Sequence, residues 1–243
     1  MKHILILGAK SDIGKALAEI YAQNGYHLIL AGREIEVLSQ FKTSIEEKQG
    51  VSVQLVHFDA LKYDTHQSFF SNLKTKPFGI ICCVGYLGNQ QLAQQDPKEA
   101  KRIIDTNYTG CVHILDICAT YLEQVGDGFI MGISSVAGER GRKSNYFYGS
   151  AKAGFTTYLS GLRARFVNKG VHVITVKPGF VNTKMIAHLE TPKLLSIEPE
   201  RLASIVFKAQ QHKRNVVYVG WKWKYIMWLI RSIPEFIFKK TNL

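Results

Sequence analysis

Short apolar runs rich in isoleucine, valine and leucine recur along the chain. Continuous apolar runs of this length are typical of strands that are buried on both faces of a parallel sheet. The predicted strands are HILIL (3–7), HLILA (27–31), VSVQLVHF (51–58), GIICCV (79–84), GFIMGIS (128–134), VHVITV (171–176) and NVVYV (215–219).

Stretches with helical periodicity separate these runs. The predicted helices lie near 13–24, 34–48, 97–122, 148–168 and 199–211. Strands that alternate with helices predict an α/β fold, in which helices cover both faces of a Rossmann-type doubly wound parallel sheet. Ligands of such sheets bind beyond the carboxyl ends of the strands, so the chemistry is expected in the loops that follow them.

The loop after the first strand has the pattern of a phosphate-binding turn. Glycines between a strand and a helix let backbone N–H groups and the helix N-terminus meet a pyrophosphate. Asp12 stands where a middle glycine is usual, and it is a candidate cap for the helix. A tight turn without a ligand is the alternative. The candidate contacts in this loop are Gly8, Lys10, Ser11, Ile13 and Gly14.

The loop after the second strand bears on the choice of nucleotide. It begins with Arg33, and no acidic residue lies at 31–33. An acid at this place binds a ribose 2′-hydroxyl, whereas an arginine suits a 2′-phosphate. Arg33 and Lys10 therefore favour NADP(H) over NAD(H). The alternative is that Arg33 is an exposed residue at the start of a helix.

Ser135, Tyr148 and Lys152 are the candidate catalytic residues. Tyr148 and Lys152 are four residues apart on a predicted helix, so their side chains share one face. A lysine ammonium beside a phenol stabilises the phenolate, and a serine hydroxyl opposite can hydrogen-bond a substrate oxygen. Such a set exchanges a proton with a carbonyl whose carbon exchanges a hydride with a nicotinamide.

These residues, in this order, resemble the compact single-domain branch of the short-chain dehydrogenase/reductase family. The resemblance implies that Ser135 polarises the carbonyl, that Tyr148 is the general acid in reduction, and that Lys152 supports the tyrosine and holds the nicotinamide ribose. It also implies that Asn107 holds a water that relays protons through Lys152. The likeness spans roughly residues 3 to 220 and rests on Gly8, Gly14, Asn107 in DTNYTG, Ser135, Tyr148, Lys152 and Pro178-Gly179.

The same resemblance implies further cofactor contacts. Asp59 and its neighbour Ala60, in FDAL, match the contact to adenine. Val181 and Thr183 match the contacts to the nicotinamide carboxamide. Gly85 permits a close approach of the backbone to the cofactor.

Other positions depart from the family pattern. The stretch that usually reads Asn-Asn-Ala-Gly is CCVG, and Cys82 and Cys83 cannot make the hydrogen bonds of asparagine. We therefore expect this loop to lack its usual side-chain support. Tyr146 is set aside as a catalyst because no lysine lies four residues after it. Ser134 is set aside because it lies one position off the family spacing.

Charge and composition narrow the class of ligand. The net charge is +12, from 31 Lys and Arg against 19 Asp and Glu, which favours nucleotides, phosphorylated substrates or anionic lipid. The four cysteines lack zinc-ligand spacing, so we predict reduced core thiols and no metal site. The N-terminus lacks the length and the cleavage site of a signal peptide, so we expect a cytoplasmic protein.

Residues 221–243 form a C-terminal tail beyond the predicted dinucleotide-binding domain, 1–220. Aromatic residues alternate there with lysines and arginines, and Pro234 separates two predicted short helices. A membrane span needs ~20 apolar residues, which the tail does not have. Aromatic rings flanked by basic residues suit a bilayer interface, so we predict contact with a membrane surface through 221–240. Packing on the domain or on a neighbouring protomer is the alternative, and no nucleic-acid partner is predicted.

GYLGNQ (85–90), GAKSDIG and the ending RSIPEFIFKK are together similar to a subgroup that includes the decaprenylphosphoryl-keto-pentose reductases. This resemblance implies an NADP(H)-dependent oxidoreductase that acts on a lipid-linked keto-sugar at the inner face of the membrane. Members of the wider family are often homo-oligomers. Two alternatives stay open: a soluble ketoacyl or small-carbonyl reductase with an oligomerising tail, and a non-catalytic NADPH-binding redox sensor.

Overall fold

The computed structural model describes residues 2–187 and 189–241. Its strands are β1 (His3–Leu7), β2 (His27–Gly32), β3 (Val53–His57), β4 (Gly79–Cys82), β5 (Gly128–Ile133), β6 (Val171–Pro178), β7 (Phe180–Val181), β8 (Ser196–Ile197) and β9 (Val216–Val219). One sheet has the order β3-β2-β1-β4-β5-β6-β9, and all its pairs are parallel. The predicted strands and the doubly wound sheet are confirmed. The winding reverses between β1 and β4, which is where such sheets open a cleft for ligands.

Helices cover both faces of the sheet. They are α1 (Asp12–Gln23), α2 (Ser39–Gln49), α3 (His66–Ser71), α4 (Gln90–Gln95), α5 (Pro97–Ile104), α6 (Gly110–Val125), α7 (Tyr146–Arg165), α8 (Pro199–Gln211), α9 (Lys222–Ser232) and α10 (Glu235–Phe238). Residues of α1, α2 and α8 pack in one apolar layer, and residues of α3, α6 and α7 pack in the other. The cysteines fit these layers as predicted, because they are free thiols and three of the four are buried.

The predicted helix 97–122 is divided into α5 and α6 by one π-helical turn at Asp105–Thr109. The side chain of Asn107 within this turn donates hydrogen bonds to the carbonyl oxygens of Ile103, at 2.8 Å, and Tyr86, at 2.6 Å. A single wide turn of this kind is common at functional sites. It brings a polar residue of a buried helix to the loop that follows β4.

The tail forms two helices, α9 and α10, separated at Pro234 as predicted. One face of the tail is buried against the domain through Trp223, Met227, Ile230 and Phe238. The predicted tail ends with residues 242–243, which lie outside the described residues. None of the helices within 2–187 and 189–241 combines the length and the hydropathy that crossing a bilayer requires.

Candidate active site

The glycine turn after β1 is held by local hydrogen bonds and by close backbone packing. The Ser11 hydroxyl accepts from the Gly14 N–H at 3.0 Å and donates to the Gly8 carbonyl oxygen at 2.8 Å. Gly8 has φ of +79°, and a Cβ there would lie 2.9 Å from the backbone of Cys83. Only glycine allows both this conformation and this approach. The loop after β4 packs directly on this turn, and its Cys83 N–H donates to the Leu7 carbonyl oxygen at 2.8 Å, so backbone supplies part of its support in place of the usual asparagine side chains.

Asp12 does not cap α1, so that prediction is wrong. Ser11 is the cap, since its hydroxyl receives the Gly14 N–H. Asp12 instead accepts the backbone N–H of Lys184 at 2.8 Å, across the cleft. Its carboxylate therefore ties the glycine turn to the loop that follows β7.

A cavity of about 200 Å³ opens at the carboxyl ends of β1, β2 and β4, and we call it the cofactor half of the cleft. The predicted cofactor residues that line it are Gly8, Lys10, Ser11, Arg33, Asp59, Ala60 and Gly85. Arg33 is exposed, and Lys10 forms an ion pair of 2.6 Å with Glu34. The hydrogen bond and the charge of Lys10 lower the pKa of the Glu34 carboxyl. The sequence prediction considered only positions 31–33 and so missed the acid at the next position, Glu34.

The Asp59 carboxylate accepts the Leu61 N–H at 3.0 Å, and this fixes its orientation at the rim of the cofactor half. Behind it, His66 contacts the Asp59 carbonyl oxygen at 3.1 Å and the ring of His113 at 2.9 Å. Burial lowers the pKa of His66, so this histidine is neutral at physiological pH. The loop that carries Asp59 and Ala60 is therefore supported by the hydrogen-bonded pair of His66 and His113.

A second cavity, of about 330 Å³, is the substrate half of the cleft. Ser135 follows β5, and Tyr148 and Lys152 project from the first turns of α7, so three separate backbone positions converge on this cavity. The Ser135 hydroxyl accepts the Ala137 N–H at 3.1 Å, which leaves its own hydrogen for a ligand. Lys152 is 3% exposed, and its ammonium donates to the Ile133 carbonyl oxygen at 3.1 Å.

The Lys152 ammonium lies 5.7 Å from the centre of the Tyr148 ring. A Cβ on Gly85 would lie 3.6 Å from this ammonium and 3.3 Å from the Asn107 amide oxygen, so Gly85 lies close to both groups. Asn107 is fully buried and lines neither cavity. Its side chain binds both backbone groups of Tyr86, since it also accepts the Tyr86 N–H at 3.2 Å. Asn107 thereby positions the loop that carries Gly85.

The other predicted residues divide between the cavity walls and the supporting structure. Ile13, Val181 and Thr183 line the substrate half, whereas Gly14 lies beneath the glycine turn. The two candidates that were set aside have other partners. Ser134 is buried and hydrogen-bonds to Thr156 and to the Lys152 carbonyl oxygen, and the exposed Tyr146 accepts a hydrogen bond from Gln94.

Several residues of the substrate half were not predicted. Trp223, from the tail, forms part of the wall, and its indole N–H donates to the Leu195 carbonyl oxygen at 3.2 Å. Its ring packs edge-on against Phe180 with centroids 5.4 Å apart. Arg142 and Asn145, from the loop before α7, complete the wall. The aromatic composition of the tail was visible in the sequence, but nothing there indicated that one tryptophan reaches the cavity.

The cleft fits the dinucleotide that the family resemblance implies. The two cavities share the residues Lys10, Ser11, Cys83, Val84 and Gly85. A Cβ on Gly8 would intrude on the Cys83–Val84 backbone, and the amino end of α1 opens at the junction. Backbone N–H groups and a helix N-terminus at such a junction suit a pyrophosphate. The cofactor half then suits an adenosine, and the substrate half suits a nicotinamide beside Tyr148 and Lys152.

Comparison with known proteins agrees with the family resemblance. The family model for short chain dehydrogenases matches residues 2–193. An uncharacterized oxidoreductase of Mycobacterium tuberculosis is 32% identical over 240 residues, which cover 98% of this chain and 96% of the relative. An uncharacterized oxidoreductase of Streptomyces coelicolor is 29% identical over 245 residues, which cover 98% of this chain and 95% of that relative.

Two solved structures have the same fold. One is a short-chain dehydrogenase of Sphingobium yanoikuyae in complex with NADPH, with a TM-score of 0.82, 22% identity and 97% of each chain covered. The other is a short chain dehydrogenase of Burkholderia cenocepacia in complex with NADP, with a TM-score of 0.83, 21% identity, and coverage of 99% of this chain and 98% of that one. From the family match and the relatives, the chain belongs to the short-chain dehydrogenase/reductase family and is an NAD(P)-dependent oxidoreductase.

Proposed function

We propose that this protein reduces a carbonyl group, or oxidises the corresponding alcohol, with NADP(H) as the preferred cofactor. The observation that carries the proposal is the convergence of Ser135, Tyr148 and Lys152 on one cavity that joins the glycine turn. When bound, the nicotinamide cofactor supplies or accepts the hydride. The other steps belong to the side chains of the chain itself.

Each of the three side chains has a role that its surroundings favour. The Tyr148 hydroxyl gives a proton to the carbonyl oxygen, and the Ser135 hydroxyl donates a hydrogen bond to the same oxygen. The buried Lys152 ammonium, anchored on the Ile133 carbonyl oxygen, stabilises the phenolate that is left on Tyr148. Asn107 acts on this group through the Gly85 loop, and the water relay that the family resemblance implies stays a prediction.

The preference for NADP(H) rests on charge in the cofactor half. Lys10 and Arg33 both line this cavity and supply positive charge for a 2′-phosphate. Glu34 competes for Lys10 through their ion pair, so Arg33 is the main candidate. The Sphingobium and Burkholderia structures, whose descriptions name NADPH and NADP, agree with this choice.

The experiment that tests the proposal follows NADPH absorbance with a panel of carbonyl compounds for the wild type and for Tyr148→Phe. We expect Tyr148→Phe to lose at least about 10²-fold in kcat and to bind NADPH normally, because only the proton donor is removed. Tyr146→Phe is the matched control, since this nearby tyrosine is 39% exposed and hydrogen-bonds to Gln94. Near-normal turnover by Tyr148→Phe contradicts the assignment.

We extend the proposal to a lipid-linked carbonyl compound, a keto-sugar in particular, that the protein meets at the inner face of a membrane. The outer face of the tail supports this, since Trp221, Tyr225, Trp228 and Phe236 are 61–70% exposed. Lysines and an arginine lie among these rings, and such a mixture suits the headgroup region of an anionic bilayer. The buried face of α9 carries Trp223 into the wall of the substrate cavity. Contact of the exposed face of α9 with a bilayer would therefore place the cavity close to the lipid.

Sedimentation with vesicles tests the membrane part of the proposal. The full-length protein is expected to pellet with phosphatidylglycerol vesicles and much less with phosphatidylcholine vesicles, and salt is expected to weaken the binding. Trp228→Ser removes an exposed ring and lowers binding severalfold, whereas Val37→Ser, outside the tail, leaves it unchanged. Point changes are required because removal of the tail would also remove the buried Trp223 from the cavity wall. A wild type that does not pellet contradicts this part alone.

A further inference from the structure

Two arginines near the start of α7 have different surroundings. The Arg140 guanidinium donates to the carbonyl oxygens of Ile230 and Ile233, at 2.6 and 2.5 Å, and to the Glu235 carboxylate at 2.9 Å. It also lies over the Phe238 ring, 3.8 Å from the ring centre. These contacts engage both terminal nitrogens of the guanidinium, so Arg140 fastens the tail to the domain.

Arg142 lines the substrate cavity instead. Its Nε is buried and has no hydrogen-bond partner among the described residues, and its Nη2 donates to the Met227 sulfur at 3.5 Å, which is a weak contact. No carboxylate of the described residues lies within ion-pair distance of it. Burial lowers the pKa of the Arg142 guanidinium, yet arginine keeps its proton in proteins. The wall of the cavity therefore holds a positive charge that has no ion-pair partner among the described residues.

Asn145 is a second polar residue of this wall with an unused group. Its amide oxygen is buried and has no hydrogen-bond partner among the residues that the structure describes. Its backbone N–H donates to the Arg142 carbonyl oxygen at 3.1 Å, and its own carbonyl oxygen accepts the Gly149 N–H at 2.8 Å. The residue is thus fixed between Arg142 and the helix that carries Tyr148. Rotation of the amide exchanges its oxygen for the NH₂ group, which can donate to an anion.

We propose that Arg142 and Asn145 form a subsite for an anionic oxygen group of the substrate, either a phosphate or a carboxylate. Buried polar groups are nearly always paired in native proteins, and a buried charge without a partner is costly. The forked guanidinium matches two oxygens of one phosphate or carboxylate, which would supply both the missing charge and the missing acceptors. The proposal deepens the proposed carbonyl reduction and rests on it. Because the subsite shares its cavity with Tyr148, the anion and the carbonyl belong to one molecule.

The first experiment compares three methyl ketones of equal chain length that end in a methyl group, a carboxylate or a phosphate monoester. With NADPH and the wild type, we expect kcat/KM for a charged ketone to exceed that of the neutral one by on the order of 10- to 100-fold. Arg142→Met removes the charge and brings this ratio close to one, while Arg142→Lys, which keeps the charge, retains part of it. Lys143→Met, which removes the exposed charge that follows Arg142 in the sequence, leaves the ratio unchanged. An unchanged ratio in Arg142→Met overturns the subsite.

The second experiment separates the subsite from the proposed reaction. An alkyl phosphate and an alkyl carboxylate, neither with a carbonyl group to reduce, are titrated calorimetrically into the NADP-saturated protein. Binding about tenfold weaker in Arg142→Met than in the wild type and in Lys143→Met supports the subsite, and the tighter of the two probes identifies the anion. Equal binding by all three proteins overturns it. Arg142-dependent binding without turnover of any ketone would leave the subsite in place and overturn the proposed function.

Discussion

The cofactor half of the cleft includes a glycine turn that packs directly on neighbouring backbone, whereas the wall of the substrate half is completed by side chains of the C-terminal tail. A Cβ on Gly8 would lie 2.9 Å from the Cys83 backbone, so the turn and the loop after β4 can approach this closely only with glycine at position 8. The substrate half depends on Arg142 and Trp223, which are brought together by the packing of the tail on the domain. A turn that depends on glycine backbone is encoded by a short sequence motif. A wall made of side chains from distant segments forms only when the whole chain has folded. The two halves should therefore respond to different kinds of substitution.

The largest expected effect is on the cofactor half. Gly8→Ala adds a methyl group that would lie 2.9 Å from the Cys83 backbone, at a residue with φ of +79°. We expect NADPH binding to fall by at least about 100-fold and the free energy of unfolding to fall by ~2–4 kcal/mol, because strain and overlap add. Calorimetry and urea unfolding measure the two losses.

Gly25→Ala is the matched control for this prediction. Gly25 has the same φ of +79°, but a Cβ there would meet nothing within 4 Å. The control therefore carries only the backbone strain, ~1 kcal/mol, and should bind NADPH normally. If both variants behave alike, backbone conformation rather than close approach explains the glycine turn, and the contrast between the two halves is weakened.

The substrate half should respond next, through Trp223. Trp223→Ala removes a buried ring from the cavity wall and its hydrogen bond to Leu195. We expect KM for bulky apolar ketones to rise ~10- to 100-fold and the free energy of unfolding to fall by ~3 kcal/mol, with the dissociation constant of NADPH unchanged. Trp228→Ala, on the exposed face of the same helix, should change neither. A Trp223→Ala protein with normal KM would show that the tail is not part of the substrate site.

The fold, the glycine turn and the pairing of Tyr148 with Lys152 were predictable from sequence because their signals are local. The apolar run of β1, the glycine at position 8 and the spacing of Tyr148 and Lys152 each lie within a short stretch. Asp12 was the candidate cap of α1 because a carboxylate accepts the free N–H groups of a helix start. Ser11 is an equally good cap, and the sequence does not show which of the two side chains turns toward the cleft. The hydrogen bond from the Lys184 N–H to the Asp12 carboxylate joins residues 172 positions apart, so no local sequence pattern could predict it.

The rest of the wall of the substrate half was not predicted, because its residues come together only in the fold. Arg140 and Arg142 lie in one short segment, and nothing in their neighbours shows that one fastens the tail while the other lines the cavity. For the tail, the sequence is compatible with two alternatives, packing on the domain and contact with a membrane. The structure shows that packing uses one face, through residues such as Met227, and leaves the other face, with Trp228, exposed. Both interpretations therefore remain compatible with one helix.

The choice between NADP(H) and NAD(H) depends on side chains of the cofactor half and not on its glycine turn. Arg33→Ala should weaken NADPH binding about tenfold and leave NADH binding unchanged, since only NADPH has the 2′-phosphate. Glu34→Gln should act in the opposite direction, because it releases Lys10 from its ion pair. Fluorescence titrations with both cofactors measure these changes. Equal losses for NADPH and NADH in Arg33→Ala would contradict the predicted preference.

The smallest expected effect is a pH dependence of the free energy of unfolding, and it involves Glu139. Glu139 joins the substrate half to the tail, since it binds Lys177, the Tyr218 hydroxyl at 2.9 Å and Arg231 at 3.4 Å. Burial by itself raises the pKa of Glu139, but the hydrogen bonds and charges of Lys177, Tyr218 and Arg231 outweigh it and lower the pKa below the ordinary value of 4.5. A carboxyl with a lowered pKa stabilises the folded state above its ordinary pKa, and this contribution is lost as the pH falls through the lowered value.

Glu139→Gln should therefore cost about 1–3 kcal/mol of unfolding free energy at pH 7, and the difference from the wild type should shrink below pH ~4.5. Urea unfolding at a series of pH values measures this difference. NADPH binding at neutral pH should be unaffected, because no residue of the cofactor half contacts Glu139 among those that the structure describes. A difference that persists in acid would mean that Glu139 acts through packing and not through its charge. In that case the apolar face of the tail, and not the charge of Glu139, would hold the tail against the substrate half.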